Sequence, residues 1–113
     1  MKLAVIPVAF AGMLTASPAL AEKWVTVFDD EDAEIMAQVD KDSIRRGADG
    51  LVYFTAEGAG KSDKAADCRS RTLYTLKLYV MNGIDYPDWR KDGREVVPQS
   101  VGEAMLLYAC ANA

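Results

Sequence analysis

The stretch CRSRTLYTLKLYVM, residues 68–81, carries the most regular pattern in the chain. Apolar and polar side chains alternate along it, as they do in a β-strand that has one face on the core and the other in water. The expected core face consists of Cys68, Tyr74, Leu76, Leu78 and Val80. The expected wet face consists mainly of Arg69, Arg71, Lys77 and Tyr79. Asn82-Gly83 then predicts a tight hairpin turn into a short strand, residues 84–86.

The apolar segment at residues 100–113 predicts a C-terminal helix. Ser100 and Glu103 form a capping box, in which Ser100 caps the amide three residues on and Glu103 reaches back to the Ser100 amide. The side chains that recur at helical spacing are Ala104, Leu107, Tyr108 and Ala111. We expect this helix to pack on the sheet, because a polar-faced membrane helix would be longer and charged.

Cys68 and Cys110 are the only cysteines in the chain. In an exported protein such a pair persists as a disulfide, and closing so long a loop removes roughly 4 kcal/mol of unfolded-state entropy. A catalytic redox pair, the alternative, normally has its cysteines close together, as in CxxC. We therefore predict a structural bridge between the strand of residues 68–81 and the end of the helix.

The first 21 residues have the features of a signal peptide. Lys2 provides a positive start, residues 3–14 are almost all apolar, and Ala19-Leu20-Ala21 is a small-x-small cleavage site. The apolar run is shorter than the roughly 20 residues of a spanning helix, and Glu22 stands where a lipoprotein needs cysteine. We expect cleavage before a domain of residues 22–113, with no membrane span or lipid anchor. The expected location is the periplasm, with secretion or the cell surface as alternatives.

Charge and composition argue against several functions. Lys and Arg number 13 against 17 Asp and Glu, for a net charge of −4, which disfavours binding to nucleic acid. The chain has no histidine, and therefore lacks the commonest general base and the commonest transition-metal ligand. We predict a protein without enzymatic activity and without a cofactor.

The remaining segments predict further strands and turns. Strands are expected at residues 22–28, 35–39 and 51–56, with one more extended piece at 94–97 and a helical turn at 40–47 that places Ile44 inward. Residues 57–67, rich in Gly, Ser, Lys and Asp, are expected to form a mobile loop. Its Gly60-Lys61-Ser62 matches only the end of a phosphate-binding loop. The predicted fold is α+β: one antiparallel sheet of about five or six strands, with the helix packed on one face and disulfide-linked to it.

The acidic stretch of residues 29–34 has two interpretations. It predicts the solvated tip of a hairpin between the first two strands. The alternative is a calcium loop, but the glycine at the sixth position of an EF-hand loop is missing, and Lys41 stands at the twelfth instead of glutamate.

The order of several motifs resembles the surface-adhesin protein E-like domain of Gram-negative bacteria, over essentially all of residues 22–113. The motifs are Trp24, Val39-Asp40, Ser43-Ile44, Arg46-Gly47, an aromatic strand at 51–55, Asp67-Cys68, Asn82-Gly83, a tryptophan before Val97-Pro98-x-Ser100, and Cys110. The resemblance implies an antiparallel sheet with a C-terminal helix stapled by Cys68 and Cys110. It also implies adhesion to host extracellular-matrix and serum proteins, although the lipid-carrying cysteine of the adhesin is absent.

We therefore expect an adhesin-like binding module that recognises a macromolecule, with Tyr79, Tyr86 and Trp89 as candidate contact residues. The structural alternative for Tyr86 and Trp89 is that they cover the helix or the end of the sheet. A second hypothesis is a structural or envelope-stress protein that forms a homodimer through an open sheet edge or through the wet face of the strand at residues 68–81. A third is a hydrolase that uses two of the carboxylates Asp40, Asp42, Glu57, Asp67 and Asp88.

Overall fold

The computed structural model describes residues 22–80 and 82–113, so the predicted signal peptide, residues 1–21, lies outside the described residues. The described residues form eight strands, one α-helix and two short 3-10 helices. The strands are β1 Trp24–Asp30, β2 Ile35–Asp40, β3 Arg45–Arg46, β4 Val52–Glu57, β5 Lys61–Asp67, β6 Thr72–Leu78, β7 Ile84–Asp85 and β8 Arg94–Glu95. The α-helix is α1, Val101–Ala111. Two short 3-10 helices are Lys41–Ser43 and Trp89–Lys91. Within the described ranges, no helix is both long and apolar enough to cross a membrane.

The strands form one antiparallel sheet in the order β1-β2-β4-β5-β6-β7. β3 also pairs with β4, and β8 also pairs with β6. The predicted fold class, an antiparallel sheet with a disulfide-linked C-terminal helix on one face, is confirmed. The predicted number of strands is wrong, because β3 and β5 were not predicted. A strand of two residues, such as β3, is too short to show the alternation that identifies strands.

β5 replaces the predicted mobile loop of residues 57–67. It lies between β4 and β6 in the middle of the sheet. Of the predicted loop, only the turn Gly58–Gly60, with Gly60 at φ 125°, lies outside the strands. Its buried residues are small: Ser62 is 4% exposed, and Ala65 and Ala66 are fully buried. Small residues have low strand propensity, so the prediction failed there. Their size fits a strand that is covered by larger side chains from both faces.

The core lies between the sheet and α1. Its sheet side consists of the buried residues Ala37, Val39, Val52, Phe54, Ala56 and Ala66. From α1, the buried residues are Met105, Leu106 and Ala109. The side chains that recur at helical spacing do not all face the core, since Leu107 is 48% exposed although Tyr108 packs against the core. α1 is apolar on nearly every side, and such a helix has no pattern that specifies the side facing the sheet.

β6 is shorter than predicted, and its faces differ from the prediction. The pairs Asp63↔Lys77 and Lys64↔Thr75 leave Leu76 as an extra residue, a β-bulge. A bulge changes which side chains share a face. Leu73 and Leu78 therefore lie on the side of α1, while Tyr74 contacts Trp89 on the opposite side.

The other residues expected on the core face of that strand lie outside β6. Cys68 is in the turn before β6 and packs against the core. Val80 is beyond the end of β6 and is 40% exposed. The prediction of one continuous strand over residues 68–81 thus combined a turn, a strand and the start of the next turn.

The disulfide joins the end of α1 to the turn between β5 and β6. The Cys68–Cys110 S–S distance is 2.02 Å, which confirms the predicted bridge. At the other end of α1, the Ser100 side chain accepts a hydrogen bond from Glu103 N at 3.2 Å, as expected. Glu103, however, accepts from the amide of Gln99 at 2.8 Å rather than from that of Ser100. The Ser100 amide instead donates to the carbonyl of Val97.

Candidate binding surface

The sheet face that points away from α1 carries a cluster of aromatic residues, which we call the aromatic face. Its members are Tyr53, Tyr74, Leu76, Tyr79 and Trp89. Trp89 meets Tyr53 and Tyr74 edge-on, with ring centroids 6.1 and 5.4 Å apart. Tyr53, Ala65 and Tyr74 are direct neighbours across β4, β5 and β6. The Trp89 ring therefore lies over Ala65, which explains why Ala65 is fully buried although it is not in the core cluster.

Two glycines let the backbone lie directly on the tyrosine rings. A Cβ atom at Gly47 would be 2.6 Å from Cε1 of Tyr53. A Cβ atom at Gly93 would overlap the ring of Tyr74. Both distances are too short for a side chain, so the loops that hold these glycines restrict the two rings to one position.

Cationic side chains lie over these rings. The Arg45 guanidinium is 4.8 Å from the Tyr53 ring centroid, and that of Arg90 is 4.1 Å from the Trp89 centroid. The ammonium groups of Lys61 and Lys77 are each 4.9 Å from the Tyr79 centroid. All four distances are within the range of cation–π attraction.

Carboxylates hold the hydroxyl groups of Tyr53 and Tyr79. Tyr53 donates to Asp49, which also forms an ion pair with Arg90 at 3.2 Å. The hydrogen bond from Tyr53 is the main reason that the pKa of Asp49 lies below its usual value, while burial raises the pKa of Tyr53. Tyr79 donates to Asp63 at 2.8 Å, and this hydrogen bond raises the pKa of Tyr79 to about 12.

A cavity of about 260 Å³ opens between Tyr53 and Tyr79. Its lining includes Arg45, Thr55, Asp63 and Leu76 beside the two tyrosines. Asp63 receives a second hydrogen bond from Thr55 at 2.9 Å, so both of its carboxylate oxygens are engaged. The cavity thus has fixed aromatic walls, one fixed carboxylate and one guanidinium.

The structure separates the three candidate contact residues. Tyr79 and Trp89 are on the aromatic face, whereas Tyr86 lines a different cavity with Leu73 and Thr75. Tyr79 is 42% exposed and Tyr86 is 36% exposed. Trp89 is half-buried and covers the sheet, which is close to the structural alternative considered for it.

Sequence reasoning missed Arg45, Tyr53 and Tyr74 as members of this surface. The alternation of Val52, Tyr53 and Phe54 contained the signal for Tyr53, because it places that ring opposite the buried residues. Nothing local indicated that Trp89 would bring Tyr53 and Tyr74 together, since the three residues belong to separate segments.

Three of the carboxylates considered for catalysis or metal binding accept hydrogen bonds from backbone amides. Asp40 accepts hydrogen bonds from the amides of Lys23 and Asp42, and Asp67 accepts from that of Arg69. In the acidic turn, Asp30 accepts from the Ala33 amide at 3.2 Å. Within residues 22–80 and 82–113, no three His, Cys, Asp or Glu side chains form a group that could hold a metal ion.

Comparison with known proteins gave no match to a family model, to a curated protein or to a solved structure. The resemblance to the surface-adhesin protein E-like domain therefore stays a prediction.

Proposed function

We propose that the protein is a small exported, non-catalytic binding protein, adhesin-like in its action, that recognises a protein partner through the aromatic face. The observation that carries the proposal is the setting of Tyr79. Its ring is 42% exposed, yet Asp63 holds its hydroxyl and Lys61 and Lys77 lie over the ring. An aromatic side chain that is both accessible and held in place is well suited to a contact surface.

Preorganisation supports this proposal energetically. Ordering a free side chain at an interface costs about 0.5 to 1.5 kcal/mol, and a ring that is already fixed avoids much of that cost. Tyr53 is fixed by Asp49 and Gly47, and Tyr79 by Asp63. Aromatic residues and arginine are also enriched at the centres of protein interfaces.

The charges around the aromatic face favour a partner that presents carboxylates. Arg90 is paired with Asp49, and Lys61 with Glu22. Among the described residues, Arg45 and Lys77 make no ion pair, although each lies beside a tyrosine ring. A partner surface with an apolar centre and acidic side chains at its rim would complement this arrangement.

The disulfide and the predicted signal peptide support an extracytoplasmic location. Disulfides such as Cys68–Cys110 persist in oxidising compartments and are rare in the cytosol. We propose the periplasm as the main location, with the cell surface or the medium as alternatives, and host matrix or envelope proteins as the classes of partner.

Surface plasmon resonance with the purified protein tests the proposal against extracellular-matrix proteins and envelope proteins from its own source. A Tyr79→Ala variant should bind the retained partner about tenfold more weakly, the effect of losing a central interface side chain. Arg45→Ala should weaken binding to a smaller extent and should reduce its dependence on salt.

Tyr86→Ala is the matched control, because Tyr86 has a similar exposure and lies in a different cavity. It should bind as the wild type does, and all three variants should unfold cooperatively. Failure to retain any partner, or equal binding by the wild type and Tyr79→Ala, would overturn the proposal.

Self-association is a second candidate, favoured by β1. This strand of seven residues is at one end of the sheet order, so one of its edges has no strand partner within the described part of the chain. Leu107, 48% exposed, lies beside it in a groove that also contains Phe28. A concentration-dependent dimer in sedimentation would support this candidate, and a monomer at high concentration would exclude it.

A further inference from the structure

A second cavity lies between the start of α1 and the sheet, on the side opposite the aromatic face. Its volume is about 280 Å³, just below the usual range for drug-sized ligands and therefore suited to a smaller one. Its lining includes Ser62, Lys64, Leu73, Leu78, Gly102 and Met105. Most of these side chains are apolar, and Lys64 is the only charged one among the described residues that line the cavity.

Ser62 brings a buried hydroxyl without a partner to this cavity. The residue is only 4% exposed, and its Oγ makes no hydrogen bond to any described residue. In the same part of the chain, no fully enclosed side-chain oxygen or nitrogen lacks a partner. The Ser62 hydroxyl must therefore reach the open space that it lines, where it can donate to a ligand.

Two residues of the first turn of α1 line the same space and have free amides. The Ser100 side chain satisfies the amide of Glu103, and the Ser100 carbonyl accepts from Ala104. The amides of Val101 and Gly102, which both line the cavity, have no acceptor among the described residues. The start of a helix carries roughly half a positive charge, so these amides favour an anion.

Lys64 adds a full positive charge that no carboxylate balances. Its ammonium donates to Oγ1 of Thr75 at 2.9 Å, and the side chain is in none of the ion pairs formed within the described ranges. Two of its three hydrogens are therefore left for another acceptor. Burial lowers the pKa of Lys64, as expected for an ammonium without a counter-ion. Glu103, the acid of the first turn, is engaged by Arg71 and by the Gln99 amide.

We infer that this cavity binds one carboxylate group attached to a short hydrocarbon chain. The ammonium of Lys64, the Ser62 hydroxyl and the amides of Val101 and Gly102 supply donors for the carboxylate. The full positive charge of Lys64 and the partial positive charge at the start of α1 match a monoanion better than a dianionic phosphate. The apolar side chains of Leu73, Leu78 and Met105 line the rest of the cavity and would contact the hydrocarbon.

Nuclear magnetic resonance with hexanoate as the probe tests the inference on the whole purified protein. Adding hexanoate should shift the amide resonances of Ser62, Val101 and Gly102 in a saturable manner. It should also produce contacts between the hexanoate chain and the Met105 methyl group. These readouts need no variant, so they test the site even where a substitution impairs folding.

Three variants distinguish recognition of the carboxylate charge from simple filling of an apolar cavity. Lys64→Met should weaken hexanoate binding at least about tenfold, because it removes the ammonium but keeps a chain of similar length. Lys77→Met, the same change on the opposite face, should bind hexanoate as the wild type does. Ser62→Ala should weaken binding by a smaller factor.

Phosphate and hexanol identify the chemistry that is recognised. Neither should shift these amides at concentrations that saturate with hexanoate. Tighter binding of phosphate would overturn the assignment to a carboxylate, and equal binding of hexanol and hexanoate would overturn recognition of the anion. Absence of saturable shifts with hexanoate would overturn the site itself. None of these outcomes depends on the aromatic face, so the inference and the proposed function succeed or fail separately.

Discussion

The two faces of the sheet are covered in different ways. On one face, α1 packs on the core, in which Met105 and Leu106 are at most 4% exposed, and a disulfide anchors its end. On the other face, the residue Trp89 covers Ala65, and Tyr79 stays 42% exposed. The first face is covered by the packed helix, with one cavity at the start of α1, whereas the second is a set of separate rings held by hydrogen bonds and cations.

This difference reflects the size of the domain. A domain as small as residues 22–113 buries only a little over about 60% of its unfolded surface, which is enough for one core. The face without that core can keep aromatic and charged side chains accessible. Stability should therefore depend mainly on the helix side of the sheet, and substitutions on the aromatic face should change contacts more than folding.

The largest effect is expected from removing the disulfide on the helix side. Replacing both Cys68 and Cys110 with serine should lower the free energy of unfolding by about 2 to 5 kcal/mol, because the unfolded chain regains the freedom of a long loop. Urea unfolding followed by circular dichroism measures the change. Wild-type protein treated with a reductant should match the variant, and an unchanged midpoint in both would show that the bridge contributes nothing to stability.

A smaller loss of stability is expected from truncating a buried side chain of the core. Leu106→Ala should cost about 3 kcal/mol, since Leu106 is 1% exposed and its surroundings can collapse only in part. Leu107→Ala is the control on the same helix, and with Leu107 48% exposed it should change stability by less than about 0.5 kcal/mol. Equal losses in the two variants would mean that α1 does not face the sheet as described.

On the aromatic face, Trp89→Ala should cost about 2 kcal/mol, because it removes two edge-on ring contacts and exposes Ala65. The near-ultraviolet circular dichroism of the tyrosines should decrease as well. Trp89→Phe should recover part of both quantities, since it restores a ring. A Trp89→Ala variant with wild-type stability would show that the ring does not cover the sheet.

The smallest effect concerns the hydroxyl of Tyr79. The pKa of Tyr79, about 12, lies above its ordinary value of 10.0, so the stabilisation is present below pH 10.0 and is lost as the pH rises through about 12. Tyr79→Phe should cost at most about 0.5 kcal/mol, because solvent screens this exposed contact.

Spectrophotometric titration of tyrosinate measures this group. Tyr79→Phe should remove a late step near pH 12 that the wild type shows. An Asp63→Asn variant should move that step to lower pH, because the carboxylate that disfavours tyrosinate is gone. A titration of Tyr79 near its ordinary value in the wild type would contradict the hydrogen bond to Asp63.

Much of the fold followed from local patterns. The strand at residues 35–39, the start of α1 at Ser100 and the pairing of Cys68 with Cys110 were all predicted and are confirmed. Each depends on residues that are close in sequence, or on there being only two cysteines. For the candidate surface, the sequence indicated Tyr79 and Trp89 as candidate contact residues. The hydrogen bond of Tyr79 to Asp63 and the ring contacts of Trp89 could not be predicted, because their partners lie in other segments of the chain.

The sequence by itself thus determined the fold class and the start of the helix, because alternation and capping act within a few residues, and it determined the disulfide because the chain has only two cysteines. Only the tertiary structure decided the phase of α1, the bulge at Leu76, the place of β5 and the meeting of Trp89 with Tyr53 and Tyr74. One extra residue in a strand reverses which side chains face the core, and no local pattern encodes it. β5, the strand of small residues, was not predicted for a related reason: the side chains that cover it come from distant segments.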